Sequence, residues 1–201
     1  MNTNRLELFS DGVFAIAITL LVLEIKVPPE GSDLGSELLR LWPSYFAYSI
    51  SFIVIGAIWI NHHAMFIHIV RVDHPMLLFN TLHLMFIAFL PFPTAILAQA
   101  LHTSENLPIA TSFYGGTLTV IGIFVTSMWR YAAHEHRLLD KKLSRTEAKS
   151  ITRRFLVGPI SYGIGSLVAL IAPWLALALY VALNVFYLLP RRGAVVKPKH
   201  K

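Results

Sequence analysis

The side chains best suited to chemistry lie within stretches of sequence that are otherwise apolar. Ser10 and Asp11 come just inside the apolar stretch 5–25, and an acid within a membrane segment is a candidate functional group whose partner has to be found. Side chains that could partner them lie in the next two apolar stretches: Trp59, His62, His63, Asn80 and His83. We expect a structural network of hydrogen bonds; the alternatives are a proton relay, or side chains that each reach the membrane interface independently.

The histidines do not have the spacing of a metalloenzyme. His62 and His63 are adjacent, so their side chains diverge by about 100° on a helix. Residues 134–136 read His-Glu-His within a charged segment, and neither group matches the H-E-x-x-H spacing that puts two ligands on one face. The chain has no cysteine and no G-x-S-x-G string. The sequence therefore predicts no enzyme, no metal site and no cofactor.

The elements that must position these groups are membrane helices. The chain of 201 residues is 55% hydrophobic and 14% charged, and its mean hydropathy is +0.60. A helix of about 20 apolar residues spans a bilayer core. We expect an all-α polytopic membrane protein with six spans: 4–25, 43–67, 76–100 with a proline kink, 109–131, and a hairpin in 155–189 divided at Pro173. Residues 1–190 would form one transmembrane domain, and 191–201 a basic, disordered cytoplasmic tail.

The basic residues indicate the orientation of these spans. With the N-terminus in the cytoplasm, all of the 17 Lys and Arg residues except Lys26 and Arg40 fall on the cytoplasmic side. The segment 130–154 carries many of them but lacks the interleaved aromatic residues of a nucleic-acid surface. The sequence thus predicts a multi-pass protein of the cell membrane with both termini in the cytoplasm, and no nucleic-acid partner.

The first helix has two faces of different composition. Asn4 and Glu7 resemble a capping box, so we expect the helix to begin near Asn4; the alternative is that Ser10 or Asp11 caps it. At 100° per residue, one stripe contains Gly12, Ile16, Thr19, Leu20 and Leu23. The opposite side contains Glu7, Asp11, Phe14 and Ile18. We therefore expect Asp11 to be buried against a neighbouring helix, away from the apolar stripe.

The same helix carries an ordered motif: Arg5-x-x-x-Phe9-Ser10-Asp11, followed by Ala15-Ile16-x-x-Thr19-Leu20. This motif resembles the signature of the transmembrane protein 175 family of potassium channels, in its prokaryotic form with a single repeat of six helices. The resemblance implies a homotetramer in which the first helix of each subunit lines a central pore. It also implies passive conduction of potassium ions, with the bilayer and further copies of the chain as the partners.

The resemblance assigns roles to residues of the motif. Ile16, Leu20 and Leu23 correspond to pore-lining apolar layers that form a constriction, and Thr19 corresponds to a threonine implicated in selectivity. The motif residues Arg5, Phe9, Ser10 and Asp11 are expected to join a network with residues of the next two helices: Trp59, His62, His63 and Asn80.

Three alternatives remain at the level of the sequence. The stripe could instead face lipid or pack against another helix, and the whole protein could be a proton-coupled or small-molecule transporter that uses Asp11 and histidines as a relay. Where some members of the family carry a serine, this chain has Ala15, and the alternative to strong potassium selectivity is therefore a leak of sodium or caesium. No T-V-G-Y-G filter string occurs, and we expect residues 113–117 to form a close helix contact.

Overall fold

The computed structural model describes residues 3–188, and these residues form eight α-helices. The helices are α1 (Thr3–Leu20), α2 (Leu34–Arg40), α3 (Trp42–Phe66), α4 (His74–Phe89), α5 (Pro91–Thr103), α6 (Leu107–Ala133), α7 (Arg145–Ala169) and α8 (Pro173–Leu188). The all-α class is confirmed. The expected tail 191–201 lies outside the described residues.

Four helical stretches are long and apolar enough to cross a membrane: Thr3–Glu24, Trp42–Phe66, His74–Thr103 and Leu107–His136. They coincide with the first four expected spans, so the polytopic character is confirmed. The expected hairpin is formed by α7 and α8, which pack against each other on either side of a turn before Pro173. However, α7 opens in the basic segment at a Ser144–Glu147 capping box, and α8 has 16 residues. The total of six membrane spans therefore remains a prediction.

The third expected span is broken where its prolines lie. Helix α4 ends at Phe89 and α5 begins at Pro91, because Pro91 has no N–H to bond the carbonyl of Ile87. The N–H of Leu90 donates a hydrogen bond to the Ile87 carbonyl instead, at 3.2 Å. Thr94 donates its hydroxyl to the carbonyl of Leu90 at 2.8 Å. The helix is therefore interrupted at Leu90, where the prolines predict a kink, and the N–H of Leu90 satisfies the carbonyl that Pro91 frees.

Close packing of α6, α7 and α8 depends on two glycines. A Cβ atom on Gly165 of α7 would lie 2.5 Å from the ring of Tyr180, and one on Gly115 of α6 would overlap the same ring. Tyr180 of α8 is fully buried between them, with its ring 5.7 Å from that of Tyr162. The expectation that residues 113–117 form a close helix contact is therefore confirmed at Gly115.

Candidate functional site

Helix α1 turns one face toward α3 and α4. Its buried residues follow helical spacing: Thr3, Leu6, Ser10, Phe14 and Ala17, with Leu21 continuing the series in a short 3₁₀ turn. The chain is helical from Thr3, the first described residue, so Asn4 lies within α1. Ser10 and Asp11 also lie inside the helix, and the alternative in which one of them caps it is excluded. Ser10 is the polar member of this face in the middle of the helix, and it needs a partner there.

That partner is Asn80 of α4. Its Nδ2 donates to Ser10 Oγ at 3.1 Å, while Ser10 donates to the carbonyl of Leu6 at 2.8 Å. His62 Nε2 lies 2.9 Å from Asn80 Oδ1, and because an amide oxygen only accepts, His62 must donate from Nε2. All three side chains are buried. One amide therefore ties α1 and α3 to α4.

Aromatic rings surround this network. The rings of His62 and His83 are stacked, with their centroids 5.7 Å apart and their planes inclined by 6°. Phe14 of α1 contacts both, at 5.5 Å from His62 and 6.1 Å from His83. His83 was predicted only as a candidate partner of Asp11. In the structure it lies in the core, in contact with Phe14. Within residues 3–188, no group of three or more His, Cys, Asp or Glu side chains is placed to hold a metal ion.

Asp11 lies outside this buried network. The expectation that Asp11 is buried was wrong for the single chain, in which Asp11 is exposed. Ser10 faces α4 instead, and the two side chains diverge by about 100° around the helix. Its partner is Trp59, whose Nε1 donates to Asp11 Oδ1 at 2.8 Å. His63 stacks on Trp59, with ring centroids 6.0 Å apart. The polar residues therefore form two clusters: Ser10, Asn80 and His62 inside, and Asp11, Trp59 and His63 at the surface.

The first two motif residues join neither cluster. Phe9 is 58% exposed, Arg5 is exposed, and Arg5 makes no ion pair within the part of the chain that the structure describes. Both lie at the start of α1 on its outward side. A single subunit therefore gives Arg5 and Phe9 no contact that would explain a role in the network.

The apolar stripe is exposed along its length. Ile16 is 60% exposed, Leu20 40% and Leu23 64%, and Gly12 and Thr19 are exposed beside them. The α-helix gives way to a 3₁₀ turn at Leu21–Glu24, in which side chains three residues apart lie in line. Leu23 therefore stays above Leu20 at the end of the stripe. Thr19 donates to the carbonyl of Ile16 at 2.9 Å, which leaves its oxygen free to accept.

Known proteins identify the family. A family described as "Endosomal/lysosomal potassium channel TMEM175" matches residues 5–91. A potassium channel of Chamaesiphon minutus is 44% identical over 191 residues, which are 93% of this chain and 94% of that protein. The chain belongs to the TMEM175 family. The resemblance carried by the motif of α1 is confirmed.

A solved TMEM175 structure has the same fold. The crystal structure of a lysosomal potassium-selective channel TMEM175 homolog from Chamaesiphon minutus aligns with a TM-score of 0.83 at 41% identity, covering 92% of this chain and 95% of that one. Human TMEM175, named an endosomal/lysosomal proton channel, is 29% identical over 234 residues, but the match covers only 45% of the human protein. In length, this chain is therefore one of the shorter, single-repeat members of the family.

Proposed function

We propose that the protein is a potassium channel of the cell membrane, which conducts ions passively through a pore formed by α1. Membership of the TMEM175 family supports potassium as the ion and argues against an enzyme. The exposed stripe of α1 is the observation that supports the pore. The helix buries Ser10 within the subunit and leaves Ile16, Thr19 and Leu20 exposed, so this second face is available to line a pore.

The proposed assembly is a homotetramer. One subunit packs α1 against α3 and α4 and leaves the stripe uncovered, so a closed ring of subunits would place several stripes around one axis. The match covers less than half the length of the human relative. A tetramer of this shorter chain would therefore assemble about as many helices as a dimer of a chain twice as long.

In such a ring, Ile16 and Leu20 form an apolar constriction. Their side chains offer no oxygen to replace the hydration shell of potassium, and removing that shell without compensation costs on the order of tens of kcal/mol. The ring is therefore either closed and dewetted or wide enough for a largely hydrated ion. Thr19 supplies the hydroxyl oxygen of the stripe, and we assign it the role in ion preference. Asp11, Arg5 and Phe9 act in assembly.

A flux assay tests the proposed function. The purified protein is reconstituted into vesicles that are loaded with potassium and diluted into sodium. The vesicle lumen should acidify only after a protonophore is added, because potassium efflux makes the inside negative and draws protons inward. The human relative's name favours proton conduction as a second candidate. That activity would acidify the vesicles when valinomycin is added in place of the protonophore. Uptake that saturates and requires a second ion gradient would instead indicate a transporter.

The proposed topology has six spans, comprising residues 1–190, with both termini and the basic segment 130–154 in the cytoplasm. Ser32 and Ser144 are exposed and lie on opposite sides in this arrangement. Single cysteines introduced at these positions should differ, since only Ser32→Cys should react with an impermeant reagent added to intact cells. External labelling of Ser144→Cys would overturn the topology, and labelling after lysis provides the control for reactivity.

A further inference from the structure

A basic cleft lies where α6 and α7 meet, far along the chain from the motif of α1. Its volume is about 430 Å³, and its titratable lining consists of Arg130, His134, Glu135, His136, Arg145 and Lys149. A cavity of this size lies within the range that holds small ligands. We call it the basic cleft. The family assignment gives it no role, and none of its residues belongs to the proposed pore.

The chain builds the cleft with a turn of fixed shape. Glu135 and His136 have φ values of 52° and 55°, which non-glycine residues adopt rarely and only where their surroundings hold them. His136 donates from Nε2 to the carbonyl of Leu143 at 3.0 Å. Farther along, Asp140 N–H donates to the carbonyl of His68 at 2.9 Å, which anchors the returning chain to the end of α3. The cleft is therefore preformed, and no segment has to rearrange to create it.

Carboxylates near the cleft are engaged elsewhere. Glu147 accepts from the N–H and the hydroxyl of Ser144, at 2.9 and 2.7 Å, in the capping box of α7. Asp73 accepts from Tyr131 at 2.7 Å and pairs with Arg137 at 3.6 Å. Only Glu135 contributes a negative charge to the lining.

The cations of the lining remain without an acidic partner. Within residues 3–188, no carboxylate lies within ion-pair distance of Arg130, Arg145 or Lys149. Two helices therefore direct three cationic side chains to one concavity that contains a single acid. All three are exposed to solvent, and their combined positive charge favours an anion in the space between them.

The position of the cleft along the helices indicates where the anion comes from. Arg130 lies near the end of the apolar stretch Leu107–His136, and on α7 the basic residues give way to apolar ones after Arg154. The cleft is therefore at the level where the apolar surface of the bundle begins. Phosphate groups of lipids lie at that level, and basic pockets between membrane helices bind them.

We propose that the basic cleft binds the phosphate group of an anionic molecule at the membrane surface, with Arg130, Arg145 and Lys149 as the donors. Guanidinium groups bind phosphate oxygens in pairs, and the lysine ammonium contributes a point charge. The phosphate belongs either to a phospholipid headgroup or to a soluble phosphate compound, since both present the same oxygens to the cleft.

A matched pair of variants tests this site. Arg145→Gln with Lys149→Gln removes two positive charges from the lining, whereas Lys141→Gln with Lys142→Gln removes two exposed charges from the preceding connection, outside the lining. The full chain in detergent is titrated with short-chain phosphatidylglycerol, short-chain phosphatidylcholine or inorganic phosphate while its melting temperature is followed. Bound ligand stabilises the folded protein by RT ln(1 + [L]/Kd), so the rise in melting temperature across the titration gives its Kd.

Phosphatidylglycerol or inorganic phosphate should raise the melting temperature of the wild type and of the Lys141/Lys142 variant alike. The Arg145/Lys149 variant should bind about tenfold more weakly or worse, because it loses two charge-assisted contacts. A response to phosphatidylglycerol alone assigns the phosphate to a lipid, and a response to inorganic phosphate assigns it to a soluble compound. Equal responses in the two variants, or a response to phosphatidylcholine as large as that to phosphatidylglycerol, would overturn the proposal.

All four substituted side chains are exposed, so their replacement leaves the packing of the bundle intact. If the Arg145/Lys149 variant nevertheless fails to fold, Lys149→Gln alone is compared with Lys142→Gln in the same titration. The expected difference between these single variants is smaller but has the same sign. Equal affinities in that pair would also overturn the proposal.

Discussion

The two faces of α1 both carry apolar side chains, and they differ in which of those side chains the subunit covers. The buried face contains Ser10, whose hydroxyl is satisfied by Asn80, while the exposed face contains Ile16, which is 60% exposed. In a soluble protein this arrangement would be unfavourable, because apolar surface would face water. In a membrane, apolarity no longer distinguishes inside from outside, and hydrogen-bonding groups mark the packed face instead. The comparison therefore assigns Ser10 to the scaffold and Ile16 to a second surface.

The largest difference between the two faces should appear in stability. Phe14 is 2% exposed and contacts the rings of His62 and His83, so Phe14→Ala should lower the free energy of unfolding by about 3–5 kcal/mol. Ile16→Ala on the opposite face should change it by about 0.5 kcal/mol or less. Thermal or denaturant unfolding of both purified variants measures the difference. Similar losses for the two would mean that both faces of α1 are packed within the subunit.

The next effect concerns the amide that joins three helices. Asn80→Ala leaves His62 Nε2 buried without an acceptor and removes the donor to Ser10, so we expect a loss of about 1–3 kcal/mol. The adjacent Thr81 is the control, because it is exposed and donates only to the carbonyl of Leu77 in its own helix. Thr81→Ala should be nearly neutral in the same unfolding assay. A neutral Asn80→Ala would show that the buried network does not hold α1 in place.

The smallest effect on the subunit should come from the surface cluster. Asp11→Ala removes an acceptor from Trp59 at an exposed position, so the subunit should lose about 1 kcal/mol or less. Asp11→Asn keeps an oxygen that can accept from Trp59, and it should retain more tetramer than Asp11→Ala when assembly is followed by size-exclusion chromatography. If Asp11→Ala assembled normally and altered only ion selectivity, Asp11 would belong to the pore and not to the assembly.

Much of the scaffold could be predicted because its signals are local. The break around Leu90 and the hairpin at Pro173 follow from prolines near these points in the sequence. The burial of Asp11 could not be predicted correctly, since Ser10 and Asp11 are neighbours on the helix and only the position of α4 decides which of them faces inward.

Other parts of the two sites depend on contacts between distant residues. The sequence left open which histidine partners Asp11, and in the structure Asp11 accepts from Trp59 while His62 binds Asn80. The basic cleft was visible only as a charged segment. Its concave shape depends on left-handed backbone at Glu135 and His136, for which the sequence offers no glycine as a signal.

The central claim, that the exposed face of α1 lines the pore, is tested most directly by conductance of a matched pair of isoleucine variants. Ile16 lies on the exposed stripe, and Ile18 of the same helix is partly buried and packs against the core. Ile16→Asn should wet the constriction, raise the current per channel and weaken the preference for potassium over sodium. Ile18→Asn should reduce the yield of folded tetramer without raising the current of each channel. Single-channel recordings, or vesicle flux normalised to recovered tetramer, distinguish these two outcomes. Equal changes in conductance at both positions, or no change for Ile16→Asn, would contradict the account.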